Sequence, residues 1–224
     1  MCHSERRTPG APRTACRARG KRHEGSALRD DRNITETIVS THVPKIELPE
    51  QYIAMNLTFA TATPVDAAEL AALHTAVAQS LTSQFGPGFW SSPPSERGIL
   101  ANMRLPRFSR TIIACTNRHI VGTLRLATKK PWAIDTTYFT LASKPLYLTG
   151  MAVHPELQRK GIGRLLMKQA EEMARAWPAD AIRLDAFDAV AGAGPFYAKC
   201  GYREVAHVIY KKDPLIYFEQ ILST

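Results

Sequence analysis

Apolar positions recur along this chain with two periods, and the switches between them lay out its elements. Residues 56–61 alternate as a strand does, and Pro64-Val65-Asp66 then opens a helix with Val65, Ala68, Leu70, Leu73, Val77 and Leu81 as its apolar set. Gly86-Pro87-Gly88 stops it. A second, shorter helix is predicted within residues 91–103, after Pro93-Pro94. Two β-rich runs, 109–115 and 119–128, flank Asn117-Arg118 and read as a hairpin. An irregular stretch over 129–144 leads into a strand at 146–153. Ile162, Leu165, Leu166, Ala170, Met173, Ala174 and Trp177 then share one helical face, which Pro178 ends. A strand at 181–187, a short helix at 194–200 and strands at 202–210 and 215–222 complete the order β-α-α-β-β-β-α-β-α-β-β, a mixed α/β domain.

Chemistry concentrates where the strand ending at Val153 runs through His154-Pro155-Glu156-Leu157-Gln158-Arg159-Lys160-Gly161-Ile162-Gly163-Arg164 into the amphipathic helix. A strand that opens through a glycine-bearing loop onto a helix start aims several backbone N–H groups and the positive end of the helix dipole at one point. That is an anion site, most naturally for a diphosphate. Gly161 and Gly163 permit positive φ and close approach of a ligand, while Arg159, Lys160 and Arg164 add positive charge around the same turn. A tight turn with a solvated basic face is the plain alternative, and spacing alone does not separate the two. Other nucleotide loops are excluded: no Gly-Lys-Ser/Thr ending follows, and no third glycine stands where a dinucleotide fold needs one.

Gln158-Arg159-Lys160-Gly161-Ile162-Gly163 resembles the acetyl-CoA motif of the GNAT superfamily of N-acetyltransferases: Gln or Arg, two residues, Gly, one residue, Gly or Ala. About thirty residues on, Pro195-Phe196-Tyr197-Ala198-Lys199-Cys200-Gly201-Tyr202 resembles that family's Phe-Tyr, three residues, Gly-aromatic element. The resemblance covers residues 56–224 and implies an acyl-CoA N-acyltransferase fold, a mixed central sheet of about six to seven strands flanked by helices. It implies transfer of an acetyl group from acetyl-CoA directly to a primary amine of a small molecule or peptide, within a ternary complex. By the same resemblance the Met151 amide faces the thioester oxygen, Ala152 and Val153 flank pantetheine, and Gln158, Arg159, Lys160, Gly161, Ile162, Gly163 and Arg164 hold the diphosphate. Tyr197 matches the family tyrosine that protonates the departing sulfur, and a phenol with an ordinary pKa of about 10 suits that task. No metal site is implied.

Two positions depart from the family pattern. Thr149 stands where some members carry a glutamate base, so Asp135, Glu96 and Asp185 become the unranked candidates for deprotonating the amine, with His154 read as turn packing. Val190 stands seven residues before Tyr197, where many members carry Asn, and Gly192-Ala193-Gly194 suggest an open approach in which backbone replaces that side chain. The family places acceptor pockets at segments corresponding to 85–104 and 129–144. These hold Phe89, Trp90, Trp132, Tyr138 and Phe139 beside Glu96 and Asp135.

Composition adds an appendage. Residues 1–29 carry eight Lys and Arg against two Glu, giving +6 of the total +9, and almost no large aliphatic residue. Residues 1–50 therefore read as a basic extension that cannot bury enough surface to order itself, ahead of an acetyltransferase domain at 51–224. No aromatic residue is interleaved with its arginines, which disfavours a nucleic-acid partner. Acidic residues interrupt it, which argues against a transit peptide. Cys2, Cys16, Cys115 and Cys200 have no metal-like spacing and suit a reducing cytoplasm, and no apolar run is long enough for a membrane span. A homodimer through the terminal strands stays open. The rival from another class is an acetyl-CoA-binding sensor or scaffold without turnover.

Overall fold

The computed structural model describes residues 56–222 together with Glu50, so the expectations for the basic extension lie, Glu50 apart, outside the described residues. Seven strands form one sheet in the order β1-β2-β3-β4-β5-β7-β6. They are β1 (Thr58–Thr61), β2 (Ser109–Thr116), β3 (His119–Ala127), β4 (Pro145–Val153), β5 (Ala181–Phe187), β6 (Arg203–Tyr210) and β7 (Asp213–Ile221). Four helices flank them: α1 (Ala67–Phe85), α2 (Glu96–Met103), α3 (Ile162–Ala176) and α4 (Gly194–Lys199). The order agrees with the predicted one. Each hairpin turn is built from two non-glycine residues at positive φ, Asn117 and Arg118 between β2 and β3, and Lys211 and Lys212 between β6 and β7.

α3 seats its predicted stripe in the main core. Ile162, Leu166, Met167, Ala170, Met173 and Ala174 are at most 1% exposed and meet Ile112, Leu124, Leu126, Ile182 and Leu184 from the sheet. α1 and α2 cover the other face through Ala67, Leu70, Leu73 and Ile99 against Ile113, Cys115 and Ile120. The buried stripe of α1 is displaced from the predicted one: Ala67 and Ala78 are buried, whereas Val65 is exposed in the 3-10 turn that precedes the helix and Ala68 faces solvent. Pro64 starts that tighter turn, and Asp66 accepts from the backbone and hydroxyl of Thr63, so the α-helix begins a few residues later than the apolar spacing suggests.

Two irregularities in β4 prepare the site. β4 pairs with β3 along most of its length but with the parallel strand β5 only at Pro145, Leu146 and Tyr147. Beyond Tyr147 the two neighbours separate and leave a cleft in the sheet, which exposes backbone groups that a continuous ladder would use. Within the same stretch Thr123 pairs with Ala152 and Arg125 with Thr149, so Gly150 and Met151 together oppose Leu124. This is a β-bulge, and Gly150 accommodates it at φ +61, a conformation that costs an L-residue about 1–2 kcal/mol.

Candidate active site

Three sequence motifs converge at the start of α3. A Cβ added at Gly163 would lie 3.2 Å from Cζ of Phe196 and 3.3 Å from Cε of Met151. The splayed strand, the glycine loop and the Phe-Tyr helix therefore meet at one point. The reason for Gly163 differs from the expected one: its missing side chain admits two protein side chains, and not only a ligand. Gly161 does what was expected of it. It caps α3 at φ 86, and Arg159 before it also takes positive φ at 59. The first amides of α3 have no carbonyl one turn back, so they point out of the helix beside the exposed Arg159, Lys160 and Arg164. Ile162 anchors the loop from inside at 1% exposure. Gln158 is spent locally, its side-chain amide donating to the Val153 carbonyl at 3.1 Å and tying the loop to the end of β4.

Tyr197 lies on the same face, 5% exposed, with ring centroids of Phe196, Phe218 and Tyr202 at 5.2, 5.9 and 6.4 Å. Burial, with the carboxylate of Asp185 and the thiol of Cys200 adding to it, pushes the phenol well above its ordinary pKa. It stays protonated throughout the physiological range, so in proton transfer it is a donor and not a base. Gly192, far from opening the approach to α4, closes it: a Cβ there would overlap the carbonyl oxygen of Phe187, and its amide donates to Ala189 at 2.8 Å. Val190 projects into solvent at 92% exposure.

On the opposite face, between α1, α2 and strands β3 and β4, lies a cavity of about 190 Å³ that reaches the bulge. Its ionisable lining groups are His74 and Arg125. The His74 ring faces the bulge, with Cε1 3.8 Å and Nε2 4.0 Å from a Cβ built on Gly150, and burial holds its pKa below the usual histidine value. Nε of Arg125 donates to Thr149 Oγ1 at 3.1 Å, and Nη1 reaches Asn102 Oδ1 at 3.3 Å. The glutamate-like position 149 thus supplies a neutral anchor for an arginine.

The expected base candidates lie elsewhere. Asp135 caps a 3-10 turn, accepting from the amide and hydroxyl of Thr137, and these bonds hold its carboxyl below the ordinary range. Glu96 is exposed in the first turn of α2, outside the cavity lining. Asp185 sits on β5 with its carboxyl raised by burial, and it also falls outside that lining. His154 takes part in the turn after β4, its amide donating to Val121 at 2.8 Å. Nor does the segment 129–144 line the cavity. Ile134 and Phe139 pack with Tyr147, Leu215 and Tyr217, while Trp132 is 85% and Tyr138 51% exposed.

A family model described as "Acetyltransferase (GNAT) family" matches residues 75–202, more than half of the chain. This protein belongs to the GNAT acetyltransferase family. It is an acyltransferase of a family whose acetyl donor is acetyl-CoA. No curated protein sequence matches this acetyltransferase. Solved structures match its fold. The yncA protein of Salmonella typhimurium, solved with acetyl-CoA, is 16% identical, with 75% of this chain and 94% of that one covered and a TM-score of 0.55. The ribosomal-protein-S18-alanine N-acetyltransferase of Escherichia coli is 16% identical, with 75% and 95% covered and a TM-score of 0.55. Aminoglycoside 6'-acetyltransferase type Ii is 15% identical, with 75% and 98% covered and a TM-score of 0.55. No helix among the described residues of this GNAT protein is long and apolar enough to cross a membrane.

His74 and Arg125 escaped the sequence reading, though each carried a signal. His74 interrupts the apolar spacing of Leu70, Leu73 and Val77, and Arg125 is the one charged residue between Ile120 and Ala127.

Proposed function

We propose that this GNAT protein transfers the acetyl group of acetyl-CoA to a primary amine of a small molecule or peptide within a ternary complex, with no acetyl-enzyme intermediate. The convergence of Met151, Gly163 and Phe196 on one face of the bulge, and of a cavity containing His74 on the other, carries this reading. A donor thioester and an acceptor amine brought from opposite faces would meet in the cleft between β4 and β5.

Acetyl-CoA supplies an acyl group activated as a thioester. The first amides of α3 and the side chains of Arg159, Lys160 and Arg164 bind the diphosphate, with Gln158 holding the loop in place. Backbone groups of Ala152 and Val153 orient the pantetheine arm. The Met151 amide donates to the carbonyl oxygen as negative charge develops there, and the bulge aims it. His74 Nε2, neutral because it is buried, accepts the proton that the ammonium must lose before its nitrogen can attack. Tyr197 donates its phenolic proton to the departing thiolate and regains one from solvent. The nitrogen loses two protons in all, the first to His74 and on to solvent and the second from the tetrahedral intermediate to solvent, so one ammonium and one thioester give one amide, one thiol and one proton. With this reading we place the enzyme in the cytoplasm, one compartment that supplies acetyl-CoA.

The test is thiol release from acetyl-CoA by the full chain across a panel of amino acids, their amides, polyamines, aminoglycosides and peptide N-termini. Turnover with one amine class, with the acetylated product identified by mass, supports the reading. Tight binding of acetyl-CoA without thiol release from any amine supports a sensor instead.

A further inference from the structure

We propose that the acceptor is a small amino acid whose carboxylate pairs with Arg125 while its amine faces Gly150 and His74. This rests on the acetyl-transfer reading of the same site and narrows it to a substrate class.

Among the described residues, the cavity's cation has no counter-ion. Arg125 is half-buried, and its hydrogen bonds go to neutral acceptors only: Thr149 at 3.1 Å, Asn102 at 3.3 Å and Ser109 at 3.5 Å. No carboxylate pairs with it among the described residues, and no acidic residue lines the cavity. Arg183, the fully buried arginine of this sheet, is treated differently. Arg183 donates to Glu219 at 3.1 Å and to the Thr140 carbonyl, and its guanidinium lies 4.9 Å from the Phe139 ring centroid. Partly desolvating a guanidinium without a counter-charge is unfavourable unless an anion arrives to complete it.

The anchors also set its orientation. Nε and Nη1 are engaged by Thr149, Asn102 and Ser109, which leaves Nη2 N–H groups of a rigid planar fork to meet a ligand. A glutamate at position 149 would have neutralised this charge, whereas threonine fixes it in place. His74, the cavity's second ionisable group, is neutral, so the pocket as a whole carries one positive charge. Polycationic acceptors such as polyamines or aminoglycosides would meet repulsion there, and an anionic amine would meet attraction.

Size and spacing narrow the class further. A cavity of about 190 Å³ is smaller than the roughly 300–1,000 Å³ of pockets for drug-sized ligands, so it suits a compact molecule. Thr149, which holds the guanidinium, immediately precedes Gly150, which faces His74, and one strand residue advances only about 3.3 Å. The anion and the reacting amine therefore lie a few ångströms apart, as they do in an amino acid. A peptide N-terminus has no carboxylate beside its amine and lacks this match.

The experiment compares free amino acids with their amides and their decarboxylated amines, using the full chain. It measures thiol release with saturating acetyl-CoA, and separately acceptor binding by calorimetry in the presence of CoA. Replacing the carboxylate by an amide is expected to lower kcat/KM and affinity on the order of 10- to 100-fold, as loss of a charge-assisted pair does. That penalty should shrink to near unity in Arg125→Gln and lie between in Arg125→Lys, which keeps the charge and loses the fork. The amide comparison in the unaltered enzyme needs no variant to fold. Amides or decarboxylated amines acetylated as well as the amino acids would overturn this inference and leave the transferase standing. Amino-acid binding that depends on Arg125 without any acetyl transfer would uphold the pocket and overturn the transferase.

Discussion

Replacing Tyr197 with Phe removes one oxygen and leaves the ring among Phe196, Phe218 and Tyr202, with centroids 5.2 to 6.4 Å away. A general acid contributes about 10²- to 10⁴-fold to a rate, which at about 1.4 kcal/mol per tenfold is roughly 3–5 kcal/mol of transition-state stabilisation. The stability cost should be far smaller. The ring contacts persist, so loss of one hydroxyl is worth about 1 kcal/mol, a fall in Tm of roughly 2–4 °C for a domain of this size. Thiol release under saturating acetyl-CoA should therefore collapse in a protein that melts almost where the parent does. The loss should fall on kcat, since the proton moves only in the reaction and not on binding. An alkaline limb from this phenol should be absent from the parent's profile, because burial raises its pKa well beyond the physiological range. A variant retaining kcat within about threefold of the parent, with its melting unchanged, would refute the assignment of Tyr197 as proton donor.

Three further outcomes follow from the geometry. Gly161→Ala forces an L-residue to φ 86 at the mouth of the diphosphate loop, so acetyl-CoA affinity should fall about tenfold or more by calorimetry, alongside about 1–2 kcal/mol of stability; unchanged affinity would remove this loop from the donor site. Burial lowers the His74 pKa, so the folded chain binds fewer protons than the unfolded one as pH falls below 6.5, and the acid limb of kcat/KM should lie below 6.5. His74→Gln should abolish that limb and lower kcat, whereas an unaltered profile would assign the base elsewhere; Arg125, the cavity's other ionisable group, keeps its charge throughout. Glu219→Gln leaves the buried Arg183 without its counter-ion, costing about 3–5 kcal/mol; a calorimetric Tm lowered by less than about 3 °C would contradict that.

The fold was largely legible because its elements carry their own signals. Ile162 to Met173 announce α3 by spacing, and Asn117-Arg118 and the β-rich runs announce a hairpin. The motifs proposed for the donor were visible as contiguous runs, and Gly161 takes the left-handed conformation its position demands. The cavity beside the bulge was not. His74, Asn102, Arg125 and Thr149 come from four separate elements, and only the fold assembles them. Residues that looked chemical by type alone do other things: Asp135 caps a turn, Tyr138 and Phe139 pack against Tyr217, and Trp132 stands exposed. The sheet cleft depends on a register that ends at Tyr147 and Arg183, and no local pattern in either strand marks where pairing stops.

The most direct measurement follows isotope-labelled acetyl from acetyl-CoA in the presence of the full chain, with and without an amino-acid acceptor. The account predicts that label appears on the acceptor nitrogen in step with thiol release, and that none is retained on the protein when the acceptor is left out. Label accumulating on Cys200 or another side chain before acceptor is added would contradict direct transfer, and acetyl-CoA bound but unconsumed with every amine would contradict transfer altogether.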